Sequence, residues 1–371
     1  MILMNGDIPV LEFDLEDMYL KVLNNQFLPY VLKDYIQTTD IHNFKKSIKD
    51  IEVLRDYLSN RMLNLSRDNA KVILNVLALP QTLKTEDRIK IVLACRSLSM
   101  TDNFWTKENN EKLYFKDVCL RNHKLSEASF QIAVLGNHIS AQLDDLKADL
   151  LTQGMFIKTW RRGKNGVELW KTDKTSDNIN AKAEVEVSNI LDAIYPKIPH
   201  VFYRLEKEND LYFAVSDCFT NDAISFVSAQ DVKDYCSHIG TSFEKYINDN
   251  FSTEMANMTI LDYILANTDR HFENWGFLID NNTNKIISFA PLFDHNQALI
   301  ADIFHTDIDK LIYEPTGESF ISSAIKASEK TNMVFNLDYF PDKYFGKCYE
   351  RYNKMIHMNL EENMDIQQER E

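Results

Sequence analysis

Between residues 261 and 296 an apolar run breaks abruptly into polar groups, and this junction limits the possible folds more than any other stretch of the chain. Leu261-Asp-Tyr-Ile-Leu-Ala-Asn267 reads as the end of an apolar helix, and it runs into Asp269-Arg-His-Phe-Glu-Asn274. Trp275 to Ile279 and Ile286 to Ala290 then read as short strands around the polar turn Asp280-Asn-Asn-Thr-Asn284. The second strand leads into Pro291-Leu-Phe-Asp294. Asp269, Asn274 and Asp294 are therefore polar groups carried at the ends of apolar elements. A carboxylate, an amide five residues later and a second carboxylate after a hairpin are the oxygen donors that phosphoryl transfer needs. One orients the attacking hydroxyl and takes its proton, and the others hold magnesium. The expected roles are Asp269 as base and Asn274 and Asp294 as metal ligands. Each alone would pass for a helix cap or turn residue; their joint order favours chemistry. His271 either touches the terminal phosphate or braces the loop, with the first preferred, and Arg270 reads as a structural ion pair.

A nucleotide also needs a cation on its α- and β-phosphates. Phe156 to Arg161 and Val167 to Thr172 read as a hairpin, because Asn165-Gly166 is a strong turn signal. Val167, Leu169 and Lys171 share one face of the second strand, so the Lys171 ammonium falls at the edge of a covered side. Lys158, on the preceding strand, is a second candidate. The tip Arg161-Arg-Gly-Lys-Asn-Gly166, with Gly163 and Gly166, would cover phosphates through backbone N–H groups, or would simply be a basic turn. Ala214-Val-Ser-Asp-Cys-Phe219 falls where a linker between lobes would offer backbone groups to adenine.

Asp-Arg-His-x-x-Asn followed by Pro-Leu-Phe-Asp resembles the C-terminal kinase domain of HipA-like serine/threonine kinases, from about Gly154 to the C-terminal helices. The catalytic loop is also similar to that of phosphoinositide-kinase-like enzymes, so it marks kinase chemistry better than substrate. The resemblance implies a catalytic Asp269 with His271 in support, metal ligands at Asn274 and Asp294, and an aromatic-Lys pair at Trp170-Lys171. It further implies that Glu184, in Glu184-Val-Glu-Val-Ser188, pairs with Lys171; Glu186 is the competitor. His295 and Asn296 depart from the Asp-Phe-Gly order of ordinary protein kinases. ATP and Mg2+ are the implied cofactors. Leu98-Ser-Met-Thr-Asp-Asn-Phe-Trp105 resembles a segment of long bacterial relatives and reads as a brace.

Upstream, Ile41, Phe44, Ile48, Ile51, Leu54 and Leu58 recur at three- and four-residue steps, one face of a helix. A second helix is expected from Asn69 to Leu79, stopped by Pro80, and a third after a Thr85 cap. Ala181 to Ile194 reads as a helix ended near Pro196, His200 to Leu205 and Leu211 to Ser216 as strands, and 231–251 and 254–267 as helices. The expected architecture is α+β, a protein-kinase-like two-lobed fold with an N-terminal helical region. The expected divisions are a helical domain at 1–90, a helical brace at 91–153, a sheet-rich lobe at 154–220 and a helical lobe at 221–371.

The formal net charge of −15 disfavours general nucleic-acid binding and docking on anionic lipid. Five scattered cysteines without CxxC spacing suggest reduced thiols and a cytoplasmic location. No apolar run approaches the roughly 20 residues that span a bilayer. The expected activity is transfer of the ATP γ-phosphate to a protein Ser or Thr hydroxyl, with self-phosphorylation at Thr172, Thr175 or Ser176 as a further expectation. A small-molecule or lipid kinase and a catalytically inactive binding module are the rivals. The expected partners are a protein substrate and a regulatory protein bound through the N-terminal helical region.

Overall fold

The structure is a computed structural model of the 371-residue chain. It describes residues 1–368 apart from 41, 43, 82, 176, 195, 196 and 332–341. Ile41, Ser176 and Pro196 of the expectations above lie outside the described residues.

The N-terminal expectation needs correcting first. Residues 1–22 are strands: β1 (Ile2–Asn5), β2 (Ile8–Asp14) and β3 (Tyr19–Val22). Helices α1 (Phe44–Asn60), α2 (Ala70–Val76) and α3 (Thr85–Ala94) follow. The next strand is β4 (Phe104–Lys107), from the segment read as a brace. It pairs with β1, so the antiparallel order is β3-β2-β1-β4. Leu3, Val10, Leu11, Phe13 and Leu20 pack with Ile51, Leu54 and Leu58 of α1. The strand signal here is an alternation shortened by Gly6 and Asp7, and its partner β4 lies about a hundred residues away, so periodicity alone did not show it. In α3, Asp87 accepts the Lys84 N–H (3.3 Å), which makes Thr85 the first helical residue rather than the cap.

A single turn α4 (Glu127–Ser129), a π-helical turn at Phe130–Val134 and α5 (Leu143–Leu150) lead to the next sheet. Its strands are β5 (Ile157–Arg162), β6 (Val167–Thr172), β7 (Tyr203–Glu208) and β8 (Leu211–Asp217), antiparallel in the order β5-β6-β8-β7. Helix α6 (Ile179–Ala193) crosses one face. On the other end Trp160 and Val167 join the core that holds α2, α3 and α5.

The helical lobe begins with β9 (Ile224–Ser228), α7 (Ala229–His238), α8 (Phe243–Asn250) and α9 (Ser252–Ile264). The single helix expected over 231–251 is two, because Gly240 turns at φ +69° and Ser242 caps the second by accepting the Lys245 N–H. Strands β10 (Gly276–Asp280) and β11 (Lys285–Phe289) form the expected hairpin, with β9 on the open edge of β10. The short α10 (Ile300–Ile303), the β12 (Ile312–Tyr313) and β13 (Glu318–Ser319) hairpin, α11 (Phe320–Ser328) and α12 (Asp342–Gln368) complete the chain. Among the described residues no helix is long and apolar enough to cross a membrane.

The segment before β4 clasps the junction between the two lobes. Thr220 Oγ1 donates to Met100 O (2.8 Å), the Phe226 N–H donates to Thr101 O (2.8 Å), and Asn103 Nδ2 donates to Asp222 O (3.1 Å). The N-terminal sheet is fastened to the β10–β11 turn, where Asn284 Nδ2 donates to Gln26 O and Leu28 O (2.8 and 2.9 Å).

Candidate active site

Helix α9 ends because Ala266 adopts a left-handed φ of +50° and the Asn267 N–H returns to Asp262 O (2.8 Å). That turn carries the chain outward to Asp269. The loop is then fixed from inside by Arg270, which is fully buried against Asp262. Arg270 Nε and Nη2 donate to the two Asp262 carboxylate oxygens (2.9 and 3.0 Å), and Nη1 donates to Asn274 O and Phe293 O (2.6 and 2.8 Å). One guanidinium thus ties helix α9, the catalytic loop and the strand leading to Asp294 together. Tyr313 Oη adds a bond to Asp262 Oδ2 (2.8 Å), and Asn267 Nδ2 adds one to Oδ1 (2.8 Å). Asp262 was not singled out in the sequence. A carboxylate inside an apolar helix was the available signal, since a buried charge needs a partner.

Asn274 Nδ2 donates to Asp269 O (2.9 Å), so its amide nitrogen is committed and its oxygen is the end a cation would take. His271 is half-buried, and its Nδ1 accepts the Glu273 N–H (3.3 Å). Burial raises the Asp269 carboxyl above its usual range, with His271 opposing the shift.

Across the cleft, Lys171 and Lys158 lie directly opposite each other on β6 and β5, and Ala214 faces Lys171 from β8. Opposed residues of an antiparallel pair project from the same face. The buried Lys171 Nζ donates to Glu184 Oε1 (2.8 Å) on α6 and to Asp294 Oδ1 (2.9 Å) from the other lobe. Burial alone would lower the pKa of the ammonium, but Asp294 and Glu184 outweigh it and hold Lys171 well above its ordinary value. Burial likewise pushes the Asp294 carboxyl up, and Lys171 followed by Lys158 overrides this and holds it below the usual carboxylate range. Glu186 is turned elsewhere and accepts from Tyr344 Oη (3.0 Å), so Glu184 is the partner.

Asp294 sits at φ +60°, a left-handed conformation that costs free energy and survives where its surroundings hold it. Asn296 Nδ2 donates to Asp294 Oδ1 (2.8 Å), and Asn180 Nδ2 on α6 donates to Asn296 O (3.0 Å). Asn296 Oδ1 is buried without a hydrogen-bond partner among the described residues. The buried Tyr203 lies against Lys171, its ring 5.3 Å from Nζ. Phe293 packs on Phe219 of the interlobe linker and on Phe226, with ring centroids 5.8 and 5.4 Å apart.

Lys158 is buried, and burial, opposed by Asp294, brings its ammonium down to about 8. Its Nζ lies 2.1 Å from where a Cβ on Gly154 would stand, and Gly154 is at φ +101°. The glycine that meets this lysine is therefore Gly154, in the loop entering β5. Gly163 and Gly166 are a correction. They lie at the opposite end of the hairpin, roughly 17 Å along β6 from Lys171 at ~3.4 Å per residue. There the basic tip is used structurally: Arg161 binds Glu208 (2.6 Å) and Glu127 (3.1 Å), and Arg162 is held by Arg121 O and His123 O (2.7 Å for the latter). A cleft of about 580 Å³ beside that tip is lined by Lys124, Glu127, Trp160, Arg161 and Trp170.

The oxygen donors Asp294 and Asn274 suit magnesium, which prefers one or two protein oxygens together with phosphates and water to a full protein cage. Among the described residues no group of three His, Cys, Asp or Glu side chains forms such a cage.

A small antiparallel sheet with one helix over a helical lobe, with a Lys–Glu pair facing Asp and Asn across the cleft, defines a kinase fold. The chain belongs to the phosphatidylinositol 3- and 4-kinase family, whose model matches residues 157–364, more than half of its length. The fold is shared with the HipA structure of the Shewanella oneidensis MR-1 toxin–antitoxin system, solved with HipB and operator DNA. That match has a TM-score of 0.51 at 11% identity and covers 96% of this chain and 99% of that one. The Helicobacter pylori proinflammatory kinase CtkA is also similar, with 16% identity over 57% of this chain and 92% of that chain and a TM-score of 0.41. No curated protein matches the sequence.

Proposed function

We propose that the protein transfers the γ-phosphate of ATP to a Ser or Thr hydroxyl of a protein substrate. The observation that carries the reading is Lys171, bound at once to Glu184 (2.8 Å) and Asp294 (2.9 Å). It joins the two lobes at the point where a triphosphate would lie, with Lys158 beside it. In this reading Lys171 and Lys158 hold phosphate oxygens, and Asp294 and Asn274 hold Mg2+, which would neutralise charge that develops on the transferred group. Asp269 accepts the proton of the attacking hydroxyl as its oxygen bonds to phosphorus; the bond to the β-phosphate oxygen breaks and ADP leaves. His271 supports the loop.

Family membership also supports a lipid acceptor, and the total charge of −15 argues against it, since anionic lipid would be repelled. Self-phosphorylation belongs to the same proposal and falls on an exposed residue. Thr172 is buried with Oγ1 donating to Tyr212 O (2.7 Å), whereas Thr175 is exposed and its N–H is held by Asp173 (2.9 Å). The five cysteines are free, which fits a reducing, cytoplasmic setting. A regulatory partner would act through the N-terminal strands and helices, which reach the interlobe linker.

The test is incubation of the full chain with Mg2+ and γ-labelled ATP, with candidate protein and lipid acceptors, beside Asp269→Asn and Asp294→Ala. Label on protein that both substitutions abolish supports the reading. Label on lipid alone replaces the acceptor, and failure to bind ATP removes the reading altogether.

A further inference from the structure

The stretch between Asp294 and α11 turns large apolar side chains to solvent beside the catalytic loop. Ile303, Phe304, Leu311 and Ile312 are 45%, 69%, 41% and 66% exposed. Single exposed apolar residues are ordinary; four within ten positions form the kind of patch that marks an interaction surface. The stretch is anchored along its length. The Leu299 N–H donates to Leu265 O (2.7 Å), Arg351 grips both carboxylate oxygens of Asp302 (2.6 and 2.8 Å), and Tyr263 Oη donates to Asp309 (2.9 Å). Tyr313, adjacent to Ile312, binds the same Asp262 that fixes Arg270, and Glu314 Oε1 accepts the Phe272 N–H (3.1 Å). The C-terminal end of the stretch is thus tied to the loop that carries Asp269.

Its charge is one-sided. Residues 297–316 hold Asp302, Asp307, Asp309 and Glu314 against Lys310 alone. Arg351 neutralises Asp302 and Lys354 neutralises Asp309. Asp307 and Glu314, with Glu273 of the catalytic loop, are exposed and have no ion-pair partner among the described residues.

Resting on the reading of this protein as a protein kinase, we propose that the patch seats the acceptor segment of the substrate. The occupant is a peptide that carries an apolar side chain and a Lys or Arg near the hydroxyl to be phosphorylated. The apolar side chain loses water against Phe304 and Ile312, and the unpaired carboxylates select the cation and speed its approach. The same carboxylates repel an anionic headgroup.

The experiment uses the full chain with Mg2+ and ATP and four Ser-containing peptides: basic-apolar, basic-polar, acidic-apolar and acidic-polar. Phosphatidylcholine vesicles containing phosphatidylinositol serve as a fifth acceptor. The variants are Phe304→Ser with Ile312→Ser, and Asp307→Lys, with ATP affinity and oligomeric state measured for each. The basic-apolar peptide is expected to have the lowest KM. The double variant should raise that KM about tenfold or more, the equivalent of one lost apolar anchor, and kcat should change less. Asp307→Lys should raise KM for the basic peptides only. Equal KM values across the variants, or preference for acidic peptides, overturn the proposal while leaving the protein-kinase reading intact. A changed oligomeric state with unchanged KM overturns it too and gives the face to a second copy. Transfer to vesicle lipid alone, or none to any acceptor by protein that binds ATP, overturns the protein-kinase reading and this proposal with it.

Discussion

Lys171 and Asp294 are 123 residues apart and meet at 2.9 Å, an ion pair that spans the cleft between the two lobes. Replacing Lys171 with Met leaves Asp294 and Glu184 as neighbouring buried carboxylates without their cation. Removing one partner of a buried pair costs about 3–5 kcal/mol. Urea unfolding of Lys171→Met should show a loss of that order, with ATP affinity reduced at least about tenfold. Adding Asp294→Asn should return part of the stability and none of the affinity, since the two residues act on one another. Additive stability losses would show that the contact carries little energy.

Lys158 gives the site a pH dependence. Its folded value of about 8 lies below its unfolded value near 10.4. Below pH 8 it is protonated in both states and the folded state bears the burial cost. Between about 8 and about 10 the unfolded chain binds the extra proton, so this residue's contribution makes stability rise with pH. Affinity for ATP should move the other way and fall above about pH 8, as the phosphate-facing cation is lost. Calorimetric titration from pH 7 to 9.5 checks this; Lys158→Arg should flatten the fall, and Lys158→Met should remove the rise in stability.

The loop before β5 and the tip of the hairpin can be told apart. Gly154→Ala puts a methyl group where the Lys158 ammonium sits and forces a residue with a side chain to φ +101°. ATP affinity should fall about tenfold, the effect of displacing one phosphate contact worth ~1.4 kcal/mol. Gly166→Ala meets nothing within 4 Å and strains only its own turn, at φ +151°. It should leave ATP affinity within about twofold. The reverse ranking would return the phosphate-covering role to the hairpin tip.

Arg270 holds the catalytic loop from within. Arg270→Ala strands Asp262 in the core and frees Asn274 O and Phe293 O together. The expected destabilisation is about 3–5 kcal/mol. Arg270→Lys should recover only part, since an ammonium cannot reproduce a two-pronged contact with a carboxylate. Thermal unfolding with and without ATP and Mg2+ separates lost stability from lost binding. Wild-type stability in both variants would mean that Asp262 is satisfied by Tyr313 and Asn267 alone.

Much of this site was legible in the residue order. Asp269, Asn274 and Asp294 follow apolar elements whose periodicity places them, and Lys171 is marked by its strand face. The hairpin of β5 and β6, helix α6 and the β10–β11 hairpin follow from local patterning and turn residues, and the kinase class follows from the motif Asp-Arg-His-x-x-Asn with Pro-Leu-Phe-Asp and the family it resembles. Glu184 against Glu186 was a choice between two positions on one helix, and the structure settles it through Tyr344. Strand β9 escaped notice because its apolar residues, Ile224, Phe226 and Val227, fall within five positions and give no alternation long enough to read. Gly240 was an audible stop that the longer helical pattern masked.

The sequence by itself determined which groups exist and the order in which elements deliver them, because helix and strand periods and turn chemistry act over a few residues. Tertiary structure alone decided which distant groups meet. The pairing of β1 with β4, the reach of Lys171 to Asp294, the burial of Arg270 on Asp262 and the fit of Lys158 against Gly154 all depend on contacts between elements far apart in the chain. Such contacts are selected by packing and by the cost of leaving a buried charge alone, and neither quantity exists until the lobes have closed on each other.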